Sequence, residues 1–186
     1  MSDEAKLKRA QSLVGTSPNR PVGDWYPTPP EATLALLERE KFTGNIWEPA
    51  CGDGAMSKIM IDAGYDVIST DLYDRGYGTP GEDFLFSTRT ADNIVTNPPF
   101  TLGEEFIWKA LSATTGKVVM LTKLQFLEGA KRKKMFEATP LKTVYVFSKR
   151  LTMTRNGEKM KNSGMIAFCF LLWSHGYEGA PTVQWI

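Results

Sequence analysis

Residues 46–71 read IWEPACGDGAMSKIMIDAGYDVISTD. Ile46-Trp47-Glu48 is a short strand that runs into the turn Pro49-Ala50-Cys51-Gly52-Asp53-Gly54, where two glycines permit a tight reversal. A helix follows from Ala55 to Ala63 and stops at Gly64. A second strand, 66–70, ends at Asp71. Strand, turn, helix and strand in this order make a parallel pair joined by a crossover helix. The alternation continues downstream. Strands are expected at 93–96 (NIVT), 117–122 (KVVMLT), 142–148 (KTVYVFS) and 165–173 (MIAFCFLLW), with helices at 102–113 and 128–138. Upstream, Thr28-Pro29-Pro30-Glu31 opens a helix over Pro30 to Lys41, with Leu34, Ala35 and Leu37 as its apolar stripe. The pattern predicts an α/β fold, a mostly parallel central sheet with helices on both faces. Such sheets bind ligands beyond the carboxyl ends of their strands. Segments 48–54, 71 and 97–100 all fall there.

The rest of the chain narrows the classes of function. At 186 residues, 42% hydrophobic and 23% charged, the composition is that of a globular domain and excludes a fibrous or wholly disordered chain. Residues 1–22 are expected to form a flexible arm, and 23–186 one catalytic domain. The run Met165 to Trp173 has nine residues, where a membrane span needs about 20. No apolar signal core follows the first methionine, so a cytoplasmic protein is expected, in a bacterial host or a phage-infected cell. Two cysteines, Cys51 and Cys169, lack metal-ligand spacing, and His175 is the one histidine. No metal site is expected, and a Ser-His-Asp triad has little room. Charge is unevenly spread. Residues 1–108 carry 9 Lys and Arg against 17 Asp and Glu, a balance of −8, while 109–186 carry 13 against 4, a balance of +9. A basic second half suits a polyanion.

Two constellations carry chemistry. In the first, Gly52 and Gly54 let a ligand approach the backbone, and Asp71, 17 residues after Gly54, can accept both hydroxyls of a ribose. The third glycine of a dinucleotide site is missing, and Glu48 would repel a pyrophosphate, so a cationic or zwitterionic ligand fits better. The second is Asn97-Pro98-Pro99-Phe100. Two prolines remove two backbone donors and fix the chain. An amide oxygen on Asn97 and a carbonyl on Pro98 remain, with an aromatic ring two residues on. These can accept both N–H bonds of an exocyclic amino group while the base stacks on Phe100.

On these residues the chain resembles the S-adenosylmethionine-dependent methyltransferases, in particular those that methylate amino groups in nucleic acids. EPACGDG looks like their cofactor motif, with Glu48, Pro49, Ala50, Cys51, Gly52 and Gly54 as contacts. Asp71-Leu72 looks like the ribose-binding element, and Asp83-Phe84 like the one that holds the cofactor's adenine. NPPF looks like their catalytic motif, with Asn97, Pro98, Pro99 and Phe100 as catalytic residues and Asn97 also beside the cofactor. Tyr26-Pro-Thr-Pro-Pro30 resembles the loop, here with Tyr26 and Thr28, that holds the methionine end in the γ-ordered DNA adenine-N6 group. The motif order is γ-like, and compact phage and prophage enzymes look nearest. The resemblance implies a Rossmann-like class I methyltransferase fold, S-adenosylmethionine as cofactor, and no metal. It implies methylation of adenine N6 in DNA. Methylators of RNA bases and of protein glutamines carry similar motifs, and an inactive nucleic-acid-binding relative would keep the fold.

Basic residues flank these motifs. Lys131, Arg132, Lys133 and Lys134 form one run, and Lys149, Arg150, Arg155, Lys159 and Lys161 lie on an expected β-hairpin arm. Both groups are candidates for nucleic-acid phosphates. Only 13 residues follow Trp173, too few for a separate target-recognition domain, so relaxed sequence recognition is expected.

Overall fold

Runs such as VVML and FCFLLW are apolar at every position, as strands covered on both faces must be. The computed structural model, which describes residues 22–155, 158–159 and 166–186, builds them into one sheet. The elements run in chain order as α1 (Pro30–Arg39), β1 (Ile46–Glu48), α2 (Ala55–Asp62), β2 (Val67–Asp71), β3 (Thr79–Pro80) and β4 (Asn93–Thr96). Then come α3 (Gly103–Ala113), β5 (Lys117–Lys123), α4 (Ala130–Glu137), β6 (Leu141–Val146), β7 (Thr154–Arg155), β8 (Glu158–Lys159), β9 (Phe168–Ser174) and β10 (Thr182–Trp185).

Eight strands pair in the order β10-β6-β9-β5-β4-β1-β2-β3. All neighbours are parallel except those of β9, which runs antiparallel to β5 and β6. Successive side chains point to opposite faces of a strand, and the core divides accordingly. Val95, Val119, Leu121, Phe170 and Leu172 pack on one face with Leu36 of α1 and Met56 and Met60 of α2. Ile94, Val118, Met120, Leu171 and Trp173 pack on the other with Phe106 and Ile107 of α3 and Met135 of α4. The fold is the α/β arrangement expected, mostly parallel with helices on both faces.

Several expectations need correction. In α1 the buried face is Ala32, Thr33, Leu36 and Leu37, set at i, i+4 spacing, and Leu34 is 53% exposed. The short stretch between Asp71 and Ile94 leaves room for only a reduced strand, and β3 is two residues long. β10 has no counterpart among the expected strands. It extends the edge beside β6, and its four residues are all exposed, so burial gives it no apolar run to read. β7 and β8 pair as the expected hairpin, and Leu151 and Met153 just before it are buried in the cluster that holds Phe168 and packs against Phe100. The N-terminal arm expected over 1–22 lies, apart from Val22, outside the described residues. Among the described residues, no helix is long and apolar enough to cross a membrane.

Candidate active site

The carboxyl ends of β1, β2 and β4 open into one cleft, of about 770 Å3 with its mouth included. Tyr26, Thr28, Glu48, Pro49, Ala50, Cys51, Asp71, Leu72, Asp83, Phe84, Asn97 and Pro99 all line it. The cleft thus gathers residues from five separate stretches of the sequence.

Asp71 ends β2 and is buried. Its Oδ2 accepts the Gly52 N–H at 2.9 Å, and its Oδ1 accepts the Tyr73 N–H at 2.8 Å. The carboxylate is therefore fixed by two backbone donors, and each oxygen keeps a lone pair for a further donor. Asp83 is held similarly, its Oδ1 accepting the Leu85 N–H at 3.0 Å. Phe84 is a core residue first, edge-on to Trp47 at 5.1 Å and 4.8 Å from Phe106.

The two glycines of the turn differ from expectation. Both have positive φ, 57° at Gly52 and 82° at Gly54, which side chains rarely adopt. The space beside them, however, is taken by the protein's own rings. A Cβ on Gly52 would sit 2.4 Å from Trp25 Nε1, and one on Gly54 would sit 2.6 Å from the Tyr77 ring. The glycines shape the turn and seat a lid; the cleft wall proper comes from residues around them. Arg75 completes this lid, its guanidinium 4.5 Å from the Trp25 ring and 5.2 Å from the Tyr73 ring. Sequence reasoning missed Trp25, Tyr73 and Arg75, because nothing local links position 25 to position 75.

Glu48 is fully buried at the end of β1. Its Oε2 accepts a very short hydrogen bond from Ser57, whose hydroxyl also lies 2.6 Å from that of Ser69. Burial pushes its carboxyl up to about 8, with Asp71 and Asp53 adding to the rise and Ser57 opposing it. Between about pH 4.5 and about 8 the folded chain keeps a proton there that the unfolded chain releases. Stability from this group is therefore full below about 4.5 and is lost as pH rises to about 8. Glu48→Gln keeps a neutral side chain within reach of Ser57 and should flatten this fall. Urea midpoints from about pH 5 to about pH 9 check it: the same slope in both proteins would assign the proton to another group.

Among the described residues that line the cleft, acids outnumber bases. Glu48 is protonated near neutrality, and Glu82 is bound by Arg89 through contacts at 3.0 and 3.1 Å. Asp24, Asp53, Asp71 and Asp83 stand against the single guanidinium of Arg75. Cys51 is buried, and burial pushes its thiol up to about 12, so it is no thiolate. Among the described residues no group of three or more His, Cys, Asp and Glu could hold a metal ion.

Asn97 follows β4. Its Nδ2 donates to the Tyr26 carbonyl at 3.1 Å and to Thr28 Oγ1 at 3.0 Å. A carbonyl only accepts, so this contact fixes which end of the amide faces it. Oδ1 is left buried with no hydrogen-bond partner. An orphaned buried acceptor is uncommon, and it calls for a donor. Tyr26 and Thr28 thus hold the amide as well as lining the cleft. Phe100 does not lie open for a base. Its ring stacks on Tyr26 at 6.1 Å, tilts against Phe168 at 5.9 Å, and carries Lys123 Nζ at 4.8 Å. A base stacking there has to displace one of these, and Lys123 is the most flexible.

The basic residues separate. Lys131 pairs with Glu104 at 3.1 Å and Lys133 with Glu137 at 3.6 Å, both on the outer surface, while Lys134, Lys149 and Arg150 are exposed. Arg132 turns inward over the Phe126 ring at 4.8 Å. Of Arg155 and Lys159 only the backbone is described, and Lys161 lies outside the described residues.

No protein-family model matches the chain, and no curated protein matches it in sequence. Solved structures match it in fold. A candidate RNA methyltransferase from Pyrococcus horikoshii superposes with a TM-score of 0.64 at 15% identity, over 94% of this chain and 98% of that one. A modification subunit of a candidate type I restriction enzyme from Vibrio vulnificus gives 0.61 at 14%, over 98% of this chain and 50% of that one. A candidate class I S-adenosylmethionine-dependent methyltransferase from Listeria monocytogenes gives 0.61 at 13%, over 98% and 71%. The fold is that of the class I methyltransferases.

Proposed function

We propose that this protein transfers a methyl group from S-adenosylmethionine to the exocyclic amino group of a nucleic-acid base, N6 of adenine in DNA first. One observation carries the reading: Asn97 Oδ1 is an oriented, unpartnered acceptor at the cleft wall. An adenine amino group is a weak nucleophile because its lone pair is delocalised into the ring. Acceptors on both its N–H bonds favour a pyramidal nitrogen and stabilise the positive charge that grows on attack. Asn97 Oδ1 and the Pro98 carbonyl are those two acceptors.

The cleft suits the cofactor on grounds of charge and shape. S-adenosylmethionine would supply a sulfonium-bound methyl. Its net positive charge suits a cleft lined by Asp53, Asp71 and Asp83, and Asp71 is set to accept ribose hydroxyls. Pro99 and Asn97 face this cleft. No nucleophilic thiolate is called for, and the product proton leaves to water.

RNA is the second reading. It is favoured by the whole-length likeness to the candidate RNA methyltransferase, against half-length coverage of the restriction-enzyme subunit. Incubation with methyl-labelled S-adenosylmethionine and separate pools of duplex DNA, single-stranded DNA, RNA and protein tests both. N6-methyladenine in digested DNA is the expected product. Label confined to RNA nucleosides selects the second reading, and label only in glutamine, or none at all, overturns the proposal.

A further inference from the structure

The Asn97–Phe100 turn separates two hollows. Asn97 and Pro99 line the acidic cleft, whereas Pro98 and Phe100 line a second groove of about 740 Å3, open along one side. This groove reverses the charge of the first. It contains Lys123 at the end of β5 and Arg132 on α4, and no carboxylate. Neither cation meets a carboxylate among the described residues; each lies over an aromatic ring, Lys123 over Phe100 and Arg132 over Phe126, both at 4.8 Å. The neighbouring Lys131 and Lys133 are paired with Glu104 and Glu137 instead. Among the described residues the helix thus pairs Lys131 and Lys133 with carboxylates on the outer surface, leaves Lys134 exposed, and turns Arg132 toward the Asn97–Phe100 turn.

The groove is built to keep that arginine in place. Gly103 begins α3 beneath Phe126, and a Cβ there would lie 2.8 Å from the ring. The missing side chain lets Phe126 sink to 9% exposure and present its face to Arg132. A cation held on a ring is partly desolvated and oriented, so an incoming anion meets a fixed partner.

We propose that this groove seats a single nucleic-acid strand, with Lys123 and Arg132 on the phosphates flanking the target nucleotide. The proposal rests on the methyl-transfer reading, because the strand must deliver an amino group to the Pro98 carbonyl. A paired base cannot reach that carbonyl from inside a duplex, so the nucleotide arrives unpaired or flipped out. Displacing Lys123 from Phe100 toward a phosphate frees one ring face for the base. Cations interleaved with aromatic rings suit single-strand grooves, which grip backbone and base face without reading sequence.

The test uses the whole chain and fluorescently labelled strands of about 12 nucleotides in DNA and RNA versions, with a matched duplex. Binding is followed by anisotropy from about 50 to about 200 mM salt. Both single strands should bind more tightly than the duplex. Lys123→Ala with Arg132→Ala should weaken them about tenfold or more and lower the log–log salt slope by about 1.4, two phosphates at about 0.7 each. Lys131→Ala with Lys133→Ala should change affinity less than about threefold. Lys123→Arg with Arg132→Lys should restore binding, which separates charge from folding. An undiminished affinity in the double alanine variant, or preference for the intact duplex, overturns the proposal. Calorimetry with S-adenosylmethionine is run on the same proteins. Cofactor binding with methyl transfer to nucleic acid that is undiminished in the double alanine variant would sink the groove and leave the methyl-transfer reading standing. Strand binding through these cations with no cofactor binding would do the reverse.

Discussion

Asn97→Ala should lower methyl transfer by about 100- to 1,000-fold, equivalent to about 2.7–4 kcal/mol of lost transition-state stabilisation. The magnitude follows from geometry. Oδ1 is oriented by bonds at the far end of the amide, so accepting from the substrate requires little reorganisation at the moment of attack. Truncation removes that acceptor and leaves the Tyr26 carbonyl and Thr28 hydroxyl without their donor. Affinity for S-adenosylmethionine should change far less than turnover, since the amide acts on the acceptor base. Asn97→Asp keeps one acceptor oxygen but sets the other against the Tyr26 carbonyl, and should fall between the two. Single-turnover rates and calorimetry, taken on the same preparations, check both halves. An alanine variant that keeps more than about a tenth of the wild-type rate, a cost under about 1.4 kcal/mol, would remove Asn97 from the chemistry.

What could be read from the sequence is what neighbouring residues dictate. The glycine turn after β1, the acid ending β2 and the Asn-Pro-Pro after β4 are short chain features at strand ends, and the cleft collects all three. The mostly parallel sheet is legible because its strands alternate with helices along the chain. Contacts between distant positions were not legible. Asn97 is held by residues 71 and 69 positions earlier, and no spacing rule joins them. Two glycines in a turn suggest room for a ligand, yet Trp25 and Tyr77 fill the spaces beside Gly52 and Gly54, an outcome of packing between loops. The spacing of Leu34 to Leu37 fits a helical face, but only the sheet decides which face is buried, and it leaves Leu34 exposed. The Lys131–Lys134 run looked uniform, and the fold divides it by what lies within reach: Glu104, Glu137 or the Phe126 ring. β10 carries the alternation of an edge strand but no buried face to betray it.

Asp71→Ala should destabilise the fold and abolish cofactor binding together, and the two effects can be separated. The carboxylate is the acceptor for two backbone donors, Gly52 N–H at 2.9 Å and Tyr73 N–H at 2.8 Å. The Gly52 bond is buried and the Tyr73 bond only partly so; leaving a buried donor unmatched costs about 1–3 kcal/mol, read as a lower urea midpoint. The same change loosens the turn at Gly52 and the start of the loop that carries Tyr73 and Arg75, so weaker cofactor binding alone would not prove contact with a ribose. Asp71→Asn, which keeps one acceptor oxygen and loses the charge, is the milder partner. A cycle between Asp71→Asn and a 2′-deoxy form of S-adenosylmethionine isolates the ribose contact. If the carboxylate accepts that hydroxyl, the deoxy cofactor should bind the wild type at least about tenfold more weakly and the Asn variant with a much smaller penalty. A coupling below about 0.5 kcal/mol would mean that Asp71 serves the turn alone and that the ribose is held elsewhere in the cleft.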